Sequence, residues 1–249
     1  KLFRKKEILY DSEANVSTST DYFYDYDHHY QVAGSEMTNS KGELYKTENT
    51  FSILPDPFRI LPKGTTTYKG NVKIAEQKTI HANNHNPSNI YLPKYIQAIK
   101  GTAALESRII YHNYDAYGNP KEVSKNNGSK IYYVWGYQGT QPIAKIEGYT
   151  TMNSTQLSAI NAAIIASDAD KSVATENTLR TRLTTLRNTF ANTPAQVTTF
   201  TYDPLIGVTS TTDPRGYTMY YSYDEFNRLH LVKDQDGNIT QENKYQYKN

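Results

Sequence analysis

Tyr223-Asp224-Glu225-Phe226-Asn227-Arg228-Leu229-His230-Leu231-Val232-Lys233-Asp234-Gln235-Asp236-Gly237-Asn238 is the stretch that decides the fold of this 249-residue chain. A Tyr-Asp pair opens it, and a glycine stands fourteen residues after the tyrosine. The same frame occurs twice upstream, from Tyr202-Asp203 to Gly216 and from Tyr114-Asp115 to Gly128. The last two copies are offset by 21 residues throughout, so Asp213 matches Asp234, and Val208, Ser210 and Thr212 match Leu229, Leu231 and Lys233. A fixed period of this size marks an array of like supersecondary units, each too small to stand alone. Short alternating runs between turn signals make the unit a β-hairpin.

Composition agrees with β structure and narrows function. Only 37% of residues are apolar, and Tyr numbers 23 against 7 Phe and 1 Trp. Tyrosine must therefore fill much of the packing surface, which suits a pleated, half-buried sheet with hydroxyls at a wet edge. The length serves one large domain or two small ones. A net charge of +2 with scattered Lys and Arg leaves no electrostatic footprint for nucleic acid. Cys is absent, which removes disulfides and thiolate metal sites without excluding an extracellular location. No apolar run is long enough to span a membrane, and no signal-peptide stretch precedes the first strand. With Lys1 first and a final strand barely completed at Asn249, the expectation is a fragment of a larger protein.

Three segments are expected: a β region over 1–147, a helical insertion over 148–194, and a second β region over 195–249, together one continuous domain. Tyr22, Tyr24 and Tyr26 alternate onto one strand face, and Asn39-Ser40-Lys41-Gly42 is a turn before a strand from Leu44 to Phe51. Pro55, Pro57 and Pro62 predict a loop between Ile53 and Gly64, because proline cannot donate to a ladder. Strand signals resume over 71–80, a polar loop follows over 81–89, and further strands are expected at 94–100 and 106–114. After the turn at Tyr114 to Pro120 come strands over 121–125, 130–137 and 141–147. Asn127-Gly128 predicts a type I′ hairpin turn between the first two. Between 153 and 191 the period changes: Leu157, Ile160 and Ile164, then Leu179, Leu183, Leu186 and Phe190, fall at helical spacing. Asn153 or Ser154 caps the first helix, and Pro194 lies beyond the second. Each helix has one narrow apolar stripe, so the pair is expected to pack on itself or on the sheet edge, and its deletion to spare the β fold.

These residues resemble the YD-repeat, or Rhs-repeat, family, whose loose consensus is Tyr-Asp-x-x-Gly-Arg/Asn-Leu, a strand, Asp-x-x-Gly-x, and a return strand ending Tyr-x-Tyr. Here Tyr223 to Leu229 leads through Asp234 to Asn238 into Tyr245-Gln246-Tyr247, and Asp213-Pro214-Arg215-Gly216 leads to Tyr221-Ser222-Tyr223. In the resemblance Phe226 stands in the Gly place of the turn and Trp135 in that of the next repeat's Tyr, while the first copy keeps Gly118-Asn119. The likeness is specific over 106–147 and 196–249. The run Tyr133-Val134-Trp135-Gly136-Tyr137, then Gln141 to Glu147, then a helical insertion looks like a Bacteroidetes subgroup of large cell-surface or secreted proteins. The resemblance implies a mainly β fold of antiparallel hairpins in an extended, spiralling sheet, part of an Rhs-type shell, with an inserted α-helical hairpin at about 153–191.

No residue is assigned a catalytic, cofactor-binding or metal-binding role, and no cofactor is expected. His28-His29 are adjacent and His81 and His85 are four apart, but no His-Glu-x-x-His motif accompanies them. His112 and His230 fall on expected strands. Asp234-Gln235-Asp236-Gly237-Asn238 imitates the start of a calcium loop, yet Tyr245 stands where the closing Glu belongs, so a hairpin turn is the better reading. No Gly-x-Ser-x-Gly elbow or phosphate loop occurs. Rhs toxin shells carry a self-cleaving segment that Asp203-Pro204-Leu205 and Asp213-Pro214 match only superficially, and both are read as turns.

The expectation is therefore a non-enzymatic structural and interaction module of a secreted or cell-surface YD-repeat protein. Type IX secretion and association with the outer membrane or gliding machinery follow from the resemblance alone. Expected partners are other parts of the same large protein or surface and secretion-complex proteins, with no nucleic acid and no membrane span, and the helical insertion is the expected contact element. The alternatives are an Rhs toxin-delivery shell that encloses a C-terminal effector, and a glycan-binding adhesin.

Overall fold

The computed structural model describes residues 3–10, 16–26, 30–55, 58–83 and 90–246. Sixteen strands form one antiparallel sheet in which spatial order equals chain order, and the described residues fall into two compact units, 3–110 and 111–246. That is the mainly β architecture with an inserted helical hairpin that the repeat frame predicts.

The first unit contains β1 (Arg4–Leu9), β2 (Val16–Tyr24), β3 (Val32–Thr38), β4 (Leu44–Pro55), β5 (Phe58–Lys69), β6 (Val72–Ala82), β7 (Leu92–Lys100) and the start of β8 (Glu106–Tyr114). The loop expected at the three prolines is instead a long hairpin. β4 and β5 pair from Tyr45↔Lys69 to Pro55↔Phe58, with a bulge at Thr50/Phe51 that sets Phe51 opposite Pro62. The β5–β6 ladder runs only over Gly64 to Lys69, so the missing N–H of Pro62 costs that ladder nothing. Pro57 lies outside the described residues. Threonine dominates this sheet: Thr47 faces Thr67, and Thr65 Oγ1 donates to Asn49 Oδ1 at 3.0 Å. Ile99 is the one buried large apolar side chain among this unit's described residues.

The second unit holds the rest of β8, then β9 (Pro120–Lys125), β10 (Lys130–Gly136), β11 (Gln141–Glu147), α1 (Ser154–Asp168), α2 (Val173–Asn188), β12 (Gln196–Asp203), β13 (Gly207–Thr212), β14 (Thr218–Tyr223), β15 (Leu229–Lys233) and β16 (Ile239–Glu242). Asn153 caps α1 in a reciprocal box with Gln156, and Ser172 caps α2 in a box with Thr175. The insertion leaves the sheet continuous, since β11 and β12 pair across it from Ala144↔Thr199 to Glu147↔Gln196.

The helices dock on the face of β10 to β12, which are interior strands, and not on the sheet edge. The principal core cluster lies in that contact: Val134, Ile143, Ile146 and Val197 from the strands meet Ile160 and Ala163 of α1 and Leu179, Leu183 and Leu186 of α2. Deletion of the hairpin would uncover the core-facing side chains of β10 to β12. α2 uses the stripe read from the sequence. α1 uses it in part: Ile160 is buried and Ile164 packs against the cluster, but Leu157 is 49% exposed, and Gln156, Ala163 and Ser167 complete the buried face. Close approach of the backbones explains the shift, because a Cβ on Gly136 of β10 would collide with the Ser167 side chain. A small residue must face the sheet there.

Candidate functional site

Four aspartates and Asn39 build one turn, used five times among the described residues. At Asn39, Asp115, Asp213, Asp224 and Asp234 the side-chain Oδ1 accepts from the backbone N–H groups two and four residues on, at 2.8–3.0 Å. The main chain closes the same loop, each Asx carbonyl accepting from the N–H three residues on. That third residue has positive φ in every case: Gly42, Gly118, Gly216, Asn227 and Gly237. The Gly place of the last Tyr-Asp frame thus belongs to Asn227 (φ 60°) and not to Phe226. Gly128 is different. Its N–H donates to the Lys125 carbonyl at 3.0 Å, and positive φ falls on Asn127 alone, so this turn is centred on Asn126-Asn127 and is not the type I′ turn expected.

Asp224 and Asp234 sit below the usual carboxylate range, held there chiefly by the Arg228 and Asn238 side chains. The calcium-like pentapeptide spends its first carboxylate on its own turn: Asp234 Oδ2 accepts from Asn238 Nδ2 at 3.0 Å. Asp203 makes a looser turn, its carbonyl accepting from Ile206 N–H at 3.0 Å. Among the histidines, His112 Nε2 meets Ser124 Oγ at 2.9 Å, His81 is held more acidic than usual by burial, and His230 lies on β15. His28, His29 and His85 fall outside the described residues. Among the described residues no cluster of three or more His, Cys, Asp or Glu is placed to hold a metal.

The side chains gathered where the helical hairpin meets the sheet make the candidate site. Tyr137, just past β10, donates its hydroxyl to Asp170 Oδ2 at 2.9 Å and accepts from Tyr202 N–H at 3.0 Å. The Tyr137 and Tyr202 rings meet edge to face at 5.8 Å, and Tyr202 donates to the Pro142 carbonyl at 3.0 Å. Burial pushes the Tyr202 hydroxyl up to about 12 and Tyr137 higher still. Asp170, which also accepts from Thr175 Oγ1 at 3.1 Å, is raised by desolvation first and by the charge of Glu176. On α2, Glu176 pairs with Arg180 at 2.8 Å and accepts from Thr209 of β13. Between the start of α2 and the β12–β13 connection a cleft of about 330 Å³ opens, lined in part by Asp170, Glu176, Tyr202 and Asp203. A second cleft of about 680 Å³ lies on β5 to β8 of the first unit over small side chains such as Thr67, Ala75 and Ala98.

Nothing in the spacing joins these residues. Tyr137 and Asp170 are 33 positions apart, on either side of a strand and a helix. The one hint was the polar run Ser167-Asp168-Ala169-Asp170 between two apolar periods, which reads as a plain helix connection.

No family model and no curated protein matches the chain. Among solved structures, "Crystal Structure of TcdB2-TccC3-Cdc42" aligns with a TM-score of 0.48 and 10% identity over 96% of this chain. "Crystal Structure of TcdB2-TccC3" aligns with 0.47 and 10% identity over 96%. The chain spans 16% of the length of either.

Proposed function

We propose that this chain is a non-enzymatic structural and interaction module of a secreted or cell-surface YD-repeat protein. The observation that carries the reading is the employment of its polar side chains. Asp115, Asp213, Asp224 and Asp234 close turns, and Tyr137, Tyr202 and Tyr223 brace strands through hydroxyl bonds to neighbouring backbone. A catalytic carboxylate or hydroxyl must instead reach a substrate at hydrogen-bond distance. Export through type IX secretion, and partners among surface or secretion-complex proteins, belong to the same proposal.

A screen of esters, glycosides, peptides and phosphoesters tests it: the expected result is no turnover above buffer, and turnover lost on Asp170→Asn or Tyr137→Phe would overturn it. An open sheet of successive hairpins also suits the enclosing-shell alternative. Protease protection of a C-terminal effector within the parent protein is the outcome that would favour the shell.

A further inference from the structure

We infer that one end of the second unit's sheet is a docking rim for a basic segment of a partner protein with apolar side chains between its cations. The inference rests on the reading of the chain as an interaction module and locates where it interacts.

Topology defines the rim. Each strand is antiparallel to the next in chain order, so the connections β8–β9, β10–β11, β12–β13 and β14–β15 all lie at one end. The α1–α2 connection joins them there, because Gln138 N–H donates to Asp168 Oδ1 at 2.6 Å. Three of these connections project a large apolar side chain, Tyr117 at 72% exposure, Leu205 at 94% and Phe226 at 68%, and the α1–α2 connection leads into a fourth, Val173 at 75%, which opens α2. Their turns are closed by other residues, Asp115 with Gly118, Asp203 with Gly207 and Asp224 with Asn227, so none of these side chains is needed to make its loop. At the other end of the same unit the connections over 126–129 and 234–238 are wholly polar, and among the described residues Tyr217 and Ile239, at 59% and 58%, are the large apolar side chains exposed there. Apolar exposure is thus concentrated on the connections at the rim end.

Charge identifies the occupant. The five rim connections, taken with the residue that flanks each on either side, carry six carboxylates, Asp115, Asp168, Asp170, Asp203, Asp224 and Glu225, against two cations, Lys171 and Arg228, in a chain whose net charge is +2. The cleft of about 330 Å³ belongs to this rim and is lined by Asp170, Glu176 and Asp203 against Lys171, together with Val173 and Pro204; Glu176 is paired with Arg180, which leaves Asp170 and Asp203 to face an entering cation. A lysine or arginine side chain entering it meets carboxylates while its neighbours cover Val173 and Leu205. Complementary charge of this sort sets on-rate and specificity, and apolar anchors set residence.

The test uses the full chain and a fluorescent Lys/Leu amphipathic peptide, with a Glu/Leu peptide of the same pattern as control. The expected result is saturable binding of the basic peptide alone, weakened by salt, and weakened about tenfold in Val173→Ser/Leu205→Ser and in the separate charge variant Glu225→Lys. Both variants change exposed side chains, and an unchanged melting curve confirms the fold. Equal binding of the two peptides, binding unaffected by both variants, binding of anionic vesicles in place of peptide, or rim-dependent self-association would each overturn the inference. None of these outcomes would produce substrate turnover, so failure here is distinct from failure of the non-enzymatic reading.

Discussion

Asn227 holds a backbone conformation that glycine holds in four sister turns. Asparagine is the side chain best able to take that place, since its short amide tolerates the left-handed region. Asn227→Gly should leave stability within about 0.5 kcal/mol, whereas Gly237→Ala, at φ 85° with open space around it, should cost about 1–2 kcal/mol from strain alone. Gly128→Ala should cost less than Gly237→Ala, because its φ is not positive; urea melts of the three variants decide this ordering. The aspartates give a signed pH dependence. Asp224 and Asp234 are lowered in the fold, so their contribution is complete above about pH 4 and is lost as pH falls through their folded values. Asp170 is raised, so its contribution is present below about pH 4 and is lost as pH rises through its folded value. Asp170→Asn should therefore raise the Tm at pH 7, with the gain shrinking toward pH 4.

At the level of elements, the helical hairpin is the second unit's roof. Leu186→Ala removes a fully buried side chain and should cost about 2–5 kcal/mol, while Leu157→Ala on the exposed side of α1 should cost under about 1 kcal/mol. Replacing 153–191 by a short linker should give an aggregating product without a cooperative melt, because Ile143, Ile146 and Val197 would face water. A deletion that still melts cooperatively would refute this. The hairpins and both helices were legible in the sequence because turn chemistry and apolar period are local signals. The long β4–β5 hairpin was not, since three prolines announce a break unless the neighbouring ladder is known to stop at Gly64. The buried face of α1 was hidden for a related reason. Gln156 and Ser167 are buried by partners far along the chain, the Thr189 carbonyl and the Tyr137 N–H, and periodicity cannot see them. The rim was equally invisible, because it exists only once alternate connections are known to share an end.

For the whole molecule, stability is unevenly distributed. Of the buried large apolar side chains among the described residues, Ile99 alone belongs to the first unit, and the rest line the second. Hydrogen exchange should accordingly show β10, β11 and β12 protected longest and β2 to β6 opening at lower free energy. Urea unfolding followed by exchange should resolve two steps, and one coincident transition for both units would refute the division.

The strand order has a kinetic consequence. Because every strand pairs only with the strands immediately before and after it, no ladder waits for a distant segment to be synthesised or delivered. Loop closure is short at every step except the β11–β12 pairing, which spans the helices. The chain can zip up strand by strand from whichever end first becomes free. A sheet of sixteen strands thus has pairing nearly as local as the contacts of a helical bundle, and the β11–β12 ladder is its one pairing whose closing loop is long enough to hold two helices.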